Sequence, residues 1–155
     1  MGTLGGMETL FDPACRDRIL GRVDRLRPES PRAWGKMDAA QAMAHCALAM
    51  EAATGDATLA RPLMARLIGP LFKGWLLGPK PFSKNSPTHP QLVTTSPKDF
   101  EREKARLVAS IRKFHGGGPE SAARYRHAFV GKLTGEEWGL MQHKHLDHHL
   151  RQFGA

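Results

Sequence analysis

A chain of 155 residues, 41% apolar and 25% charged, has the size and balance of one globular domain that needs no disulfide staples. Its net charge of +8 is strongly basic, yet no basic run exceeds two residues and no aromatics interleave with the basic positions, so no specific nucleic-acid partner is expected. Cys15 and Cys46 form neither a disulfide framework nor a metal-binding pair by spacing, and MGTLGGMETLFDPACRD lacks the basic start and long apolar core of a signal peptide; a reduced, cytoplasmic setting follows.

Residues 1–11 carry no periodicity and are expected to be a flexible N-terminal tail. Asp12-Pro13 then opens the first helix, with Asp12 as N-cap and Pro13 at the first helical position. Ile19, Leu20, Val23 and Leu26 give it an apolar face, and Pro28 follows its end. Residues 27–36 form a loop containing Trp34. The second helix starts at Asp38, where Gln41 three residues on completes a capping box. It runs through QAMAHCALAMEAA to Thr54-Gly55, with Met43, Ala44, Ala47, Leu48 and Met50 facing the core.

Pro62 opens a third helical stretch, PLMARLIGPLFKGWLLG, which Gly69-Pro70 should kink or split. With Arg66, Gly69, Pro70, Lys73 and Gly74 inside it, the segment Leu63 to Leu77 is too interrupted and too short to span a bilayer, and the protein is expected to be soluble with no membrane partner. The same segment carries more apolar surface than one bundle covers, and an exposed remainder would favour a homodimer. Residues 78–97 follow as a long Pro-, Ser- and Thr-rich surface loop, a length often found in lids or covers.

Ser96-Pro97 with Asp99 opens the fourth helix. It carries Phe100, Ala105, Leu107, Val108, Ile111 and Phe114 and stops at Gly116-Gly117-Gly118. PESAARYRHAFVGK is irregular or one short helical turn. Thr134 and Glu137 form the capping box of the last helix, which runs to about Phe153. Only QLVTT and RHAFV hint at strand. The expected fold is therefore all-α, a helix bundle in a single domain. Trp34, Trp75 and Trp138 are expected to fill core or loop-packing positions.

The chemistry gathers in the histidines. Of eight, four stand in HKHLDHH, residues 143–149. At about 100° per residue, His149 lies about 40° from His145 and one turn further on, whereas His143 and Asp147 fall near the opposite side. His145 and His149 are thus the pair that can grip one ion. Leu146 stands where a zinc protease of the i, i+4 type needs its Glu, which excludes that activity. Trp138, Met141 and Gln152 share the face. A third ligand must come from another helix. His45 is the strongest candidate, mid-helix among Ala44, Cys46, Ala47 and Leu48, where an unpartnered polar group is costly. An isolated core histidine is more often satisfied by a hydrogen bond; a waiting pair on another helix shifts that balance. His89, His115 and His127 read as ordinary surface residues, Cys46 as core filler, and Gln41 as a cap that also borders the cavity.

His145-x-x-His148-His149-x-x-Gln152 resembles the last-helix motif of the DinB-like superfamily, four-helix bundles with a three-histidine metal site. WGKMDAAQAMAHC, LFKGWLLGPKPF and GKLTGEEWGLMQHKHLDHHLRQFG are similar to one uncharacterised subfamily of that group, and the likeness runs from about Ala14 to the end. It implies a DinB-like four-helix bundle with a long irregular loop, in which His45, His145 and His149 are the ligands. His148 then matches a position that is not a ligand, and His148 and Gln152 support the site from behind. Superfamily members include metal-dependent thiol transferases and hydrolases.

Three imidazoles leave at least one coordination position open for water or substrate, the layout of a catalytic rather than a closed structural site. One divalent ion is expected, with Zn²⁺ and Ni²⁺ preferred. Two function classes stay open: a metal-dependent hydrolase or thiol transferase acting on a small molecule, a thiol among the options, and a non-enzymatic metal-containing binding or stress-response protein. A polar pocket over the ion would favour the first; an ion sealed under the 78–97 loop would favour the second.

Overall fold

The computed structural model describes residues 6–155, and among them the chain is all-α apart from one minimal hairpin. Each long helix begins where a side chain satisfies its free N–H groups. In α1 (Pro13–Arg25) Asp12 accepts from the Ala14 N–H at 3.1 Å. In α2 (Ala39–Thr54) Asp38 and Gln41 cap each other at 2.8 and 2.9 Å, and Gly55 ends the helix at φ 80°. The next stretch is split at Gly69-Pro70 as the sequence predicts, into α3 (Leu63–Ile68), a 3-10 turn Gly69–Phe72, and α4 (Lys73–Leu77). In α5 (Phe100–Ala122) Asp99 caps Arg102 N–H at 2.8 Å; the helix breaks at Gly118, φ 74°, and one further turn runs from Pro119. The reciprocal cap of Thr134 and Glu137 opens α6 (Gly135–Gln152).

The four long helices α1, α2, α5 and α6 share one core. α2 lies along α5, and α6 touches α1, α2 and α5. α2 is buried nearly all round, as a helix rich in Ala and Met must be. Ile19 and Val23 of α1, Leu107 and Ile111 of α5, and Trp138, Leu146 and Leu150 of α6 join it in one buried cluster. This arrangement sets His45 on α2 opposite the inner face of α6. No helix among the described residues is long and apolar enough to cross a membrane.

Several expectations need correction. The tail predicted over 1–11 does not extend to its last residues: Leu10 is fully buried and its N–H donates to the Gly139 carbonyl at 3.1 Å, while Phe11 stacks on Phe114 with ring centroids 4.7 Å apart. Residues 1–5 of that tail lie outside the described residues. On α5, Ala105 is exposed and Glu103 takes a buried place. A carboxylate there is tolerated because Arg106 pairs with it at 3.0 Å and also clasps Glu51 of α2 at 2.6 Å through each of two nitrogens. Of the two places expected for Trp75, core or loop packing, it takes the second, 52% exposed with its ring 5.6 Å from Phe82 of the 78–97 loop. Of the two weak β candidates, QLVTT forms no strand, and RHAFV contributes only β1 (Arg126–His127), paired with β2 (Gly131–Lys132).

His127 is also no ordinary surface residue. Its ring packs beside Trp138, and its Nδ1 accepts from the N–H groups of both Phe129 and Val130 at 3.1 and 3.2 Å. A proton on Nδ1 would break both bonds. Burial, with smaller contributions from Arg61 and His89, pushes the pKa down from 6.5 to about 4. In the unfolded chain the imidazole binds its proton near 6.5, so between that pH and about 4 the unfolded state holds more protons than the folded one. The stabilisation is thus full above 6.5 and is lost as pH falls through the window. Melting temperature is expected to drop by several degrees from pH 7 to 4.5, and less in His127→Asn, whose amide oxygen keeps an acceptor without the titration. Equal acid sensitivity in the two proteins would exclude His127 as a source.

Candidate metal centre

Three imidazoles meet between α2 and α6. The ligand atoms offered by His45, His145 and His149 all lie within 4.8 Å of one another, and the rings of His145 and His149 stand nearly perpendicular, 4.8 Å apart. His45 Nε2 and His145 Nε2 are 3.0 Å apart. Two ligands of a tetrahedral Zn²⁺ site with bonds of about 2.0–2.1 Å stand about 3.3 Å apart, so this pair needs only a slight spread to share an ion.

The outer nitrogens decide which atoms face inward. His45 Nδ1 donates to the Leu92 carbonyl at 2.9 Å, and His149 Nδ1 donates to Gln152 Oε1 at 2.8 Å. With the hydrogen fixed on Nδ1 in each, the Nε2 lone pairs are left directed into the cluster. Gln152 is held in turn by its Nε2, which donates to the Trp34 carbonyl at 2.8 Å. Gly35 permits this approach: a Cβ there would come within 2.6 Å of Gln152 Nε2, and its φ of 81° suits glycine. His145 is the member with an unsatisfied atom, since its Nδ1 is buried with no hydrogen-bond partner among the described residues.

Burial lowers the basicity of all three. His45 is shifted down by desolvation, partly offset by its bond to Leu92. Desolvation again leads for His145, followed by His149 and His45, and holds it well below 6.5. His149 is pushed down to about 3, by burial first and then by His45. Three neutral imidazoles at pH 7, with the Nε2 lone pairs of His45 and His149 directed into the cluster beside His145, are a donor set suited to a borderline divalent cation.

Further side chains stand around the cluster. His148 lies outside the cluster; its ring sits against Trp34 at 5.4 Å and His149 at 5.0 Å, and Phe82 of the 78–97 loop reaches it at 6.0 Å. Gln41 caps α2 and ties it to the Ser96 carbonyl at 3.2 Å. Cys46 is buried beside His45 as core filler, with its thiol pKa raised by burial. The Leu92 and Trp34 carbonyls lack any periodic signal, because they lie between the long helices. Gln142, fully buried one turn before His145 and donating to the Ala49 carbonyl at 3.3 Å, was also missed. Its helical spacing from His145 was the available signal.

His143 points to the other side of α6, as the helix geometry predicts, and there joins Glu8 and Cys15 in a second group of potential donors. Two arginines already serve that group: Arg18 binds Glu8, and Arg18 and Arg22 both lie close enough to act on Cys15. Even so, burial and then Glu8 push the thiol up to about 11, so it stays protonated. A cavity of about 300 Å³ opens on that side, lined by Glu8, His143 and Lys144 among others. A second, of about 240 Å³, lies near Thr54 and Lys113. None of the three clustered histidines lines either one.

Residues 13–155 match the family described as "Protein of unknown function (DUF1569)". The chain belongs to the DUF1569 family. The match begins at the first residue of α1 and runs to the end of the chain, so the DUF1569 region contains all three clustered histidines, the 78–97 loop and Gln152. No curated protein and no solved structure matches the chain.

Proposed function

We propose that this DUF1569 protein is a metal-dependent enzyme of the DinB-like type, a four-helix bundle of α1, α2, α5 and α6 that holds one divalent ion, Zn²⁺ or Ni²⁺, on His45, His145 and His149. The observation that carries this reading is the locking of His45 and His149 by Leu92 and Gln152, which leaves two Nε2 lone pairs converging beside His145. When bound with three protein ligands, such an ion activates a water or keeps a thiolate ionised at its open position, the chemistry of a hydrolase or thiol transferase. The chain's own part is to hold the ligand hydrogens on Nδ1, to orient His149 through Gln152 and Trp34, and to keep water from the back of the cluster with Phe82 and Trp34. The substrate class is a small molecule, with thiols the first to try. Two buried free cysteines suit a reducing cytoplasm.

Elemental analysis after chelator wash and reloading is expected to give one ion per chain. Protein that takes up none in excess Zn²⁺ or Ni²⁺ refutes the site. Gln152→Leu is expected to keep the fold and weaken the ion's affinity by about 10–100-fold, the usual cost of losing a hydrogen-bond partner behind a ligand; unchanged affinity would remove Gln152 from the site.

A second reading, a non-enzymatic metal-containing binding or stress-response protein, is favoured by the path of the 78–97 loop. Leu92 bonds to His45, Phe82 packs on His148, and the cavities near His143 and near Thr54 open elsewhere. Turnover of activated thiol acceptors or small amides by the loaded protein, absent from the His45→Ala variant, would decide for the enzyme.

A further inference from the structure

The segment joining α2 to α5 is unlike the rest of the molecule in two ways. From Ala57 to Lys98 it contains no Asp or Glu but six Lys or Arg, which supply three quarters of the chain's net charge of +8. Among the described residues, every exposed large apolar side chain also belongs to it. Leu63, Met64, Leu67, Leu71 and Trp75 recur at three- and four-residue spacing along α3, the 3-10 turn and α4, and are 52–81% exposed. The helical stripe is held from behind by Ala65, Gly69 and Leu76, which are buried. At Gly69 the backbone comes so near Phe129 that no Cβ would fit. The apolar face is therefore fixed outward by packing.

We propose that this face docks the protein on an anionic lipid surface, the Leu63–Trp75 stripe entering the headgroup boundary and the acid-free basic segment meeting the lipid charge. An amphipathic surface element with apolar side chains on one face and Lys and Arg beside it is the form that lies in a bilayer interface without spanning it. Lys73 is the one of the six cations paired with a carboxylate among the described residues, to Glu137 at 2.8 Å. Arg66, Lys80, Lys84 and Lys98 are exposed and free of carboxylates. Trp75 stands between Lys73 and Lys80 in sequence, an amphipathic ring of the type that settles at headgroup level. A second copy of the chain fits less well, because pairing this face with itself sets two acid-free basic segments together. The proposal is independent of the metal centre.

The test is co-sedimentation of the full chain with vesicles of phosphatidylcholine alone or with about one-third phosphatidylserine. Binding is expected to be about tenfold or more stronger to the anionic vesicles, and to fall when salt is raised from roughly 0.1 to 1 M. L67E/L71E, at exposed positions, should abolish it with an unchanged melting temperature, and R66E/K80E should weaken it severalfold. Absence of binding, equal binding to neutral vesicles, or undiminished binding by L67E/L71E overturns the proposal. So does a light-scattering dimer that L67E/L71E turns into monomer, which would assign the face to a second copy.

Discussion

Replacing His45, His145 or His149 with Ala is expected to strip most of the bound ion, while His143→Ala leaves occupancy intact. The asymmetry comes from helix geometry: His145 and His149 share the inner face of α6, His45 meets them from α2, and His143 faces Glu8 on the far side. Three ligands leave little redundancy, so each loss should be nearly complete after the same chelator wash. His148→Ala should act indirectly, by loosening the packing of Trp34 and Phe82 beside the cluster. Stability provides a second readout. An ion bound only by the folded state stabilises it by about 2.7 kcal/mol at a hundredfold excess over its dissociation constant. The melting temperature of the parent and of His143→Ala should rise on loading; that of the three ligand variants should not. Metal content by elemental analysis and melting with and without ion measure both. If His143→Ala loses the ion as fully as His149→Ala, or His45→Ala retains it, the proposed ligand set is wrong.

What the sequence revealed follows from how local each signal is. Asp12, Asp38, Asp99 and Thr134 cap their helices within three residues, so every long helix start was readable. The facing of His145 and His149 needed only the helical turn, and His45 stood out because a polar ring amid Ala and Leu demands a partner. Contacts set by distant segments were not readable. Leu10 looks like part of a tail until Gly139 on α6 offers it a carbonyl. His127 looks exposed until the next residues fold their N–H groups back onto it. The proton on His45 is fixed by Leu92, 47 residues away in a loop with no periodicity. Apolar spacing along Leu63–Leu77 correctly marks a helical face, but periodicity does not say whether another element covers that face.

Trp138 and Trp75 put that distinction to a quantitative test, since sequence alone ranks them together as packing residues. Trp138 is 2% exposed on α6, two turns before His145; its ring lies 5.6 Å from His127, and its Nε1 donates to the Tyr125 carbonyl at 3.2 Å. Trp138→Ala removes a large buried side chain and the partner of a backbone carbonyl, and is expected to cost about 3–5 kcal/mol. Against a total stability of about 5–15 kcal/mol for a domain, that leaves the variant marginal at best. Trp138→Phe keeps much of the volume and should lose less, about 1–3 kcal/mol for the unpaired carbonyl. Trp75 is 52% exposed, with its ring tilted 37° against Phe82, 5.6 Å away. Its change to Ala should stay within about 0.5 kcal/mol. Urea unfolding of the three variants measures the difference, with the slope held constant as evidence that the unfolding reaction is unchanged. Comparable losses in Trp75→Ala and Trp138→Ala would mean that the α3–α4 face is covered in solution. Because Trp138 braces the N-terminal half of the helix that carries His145 and His149, its loss should also lower the ion's affinity, whereas Trp75→Ala should leave that affinity unchanged.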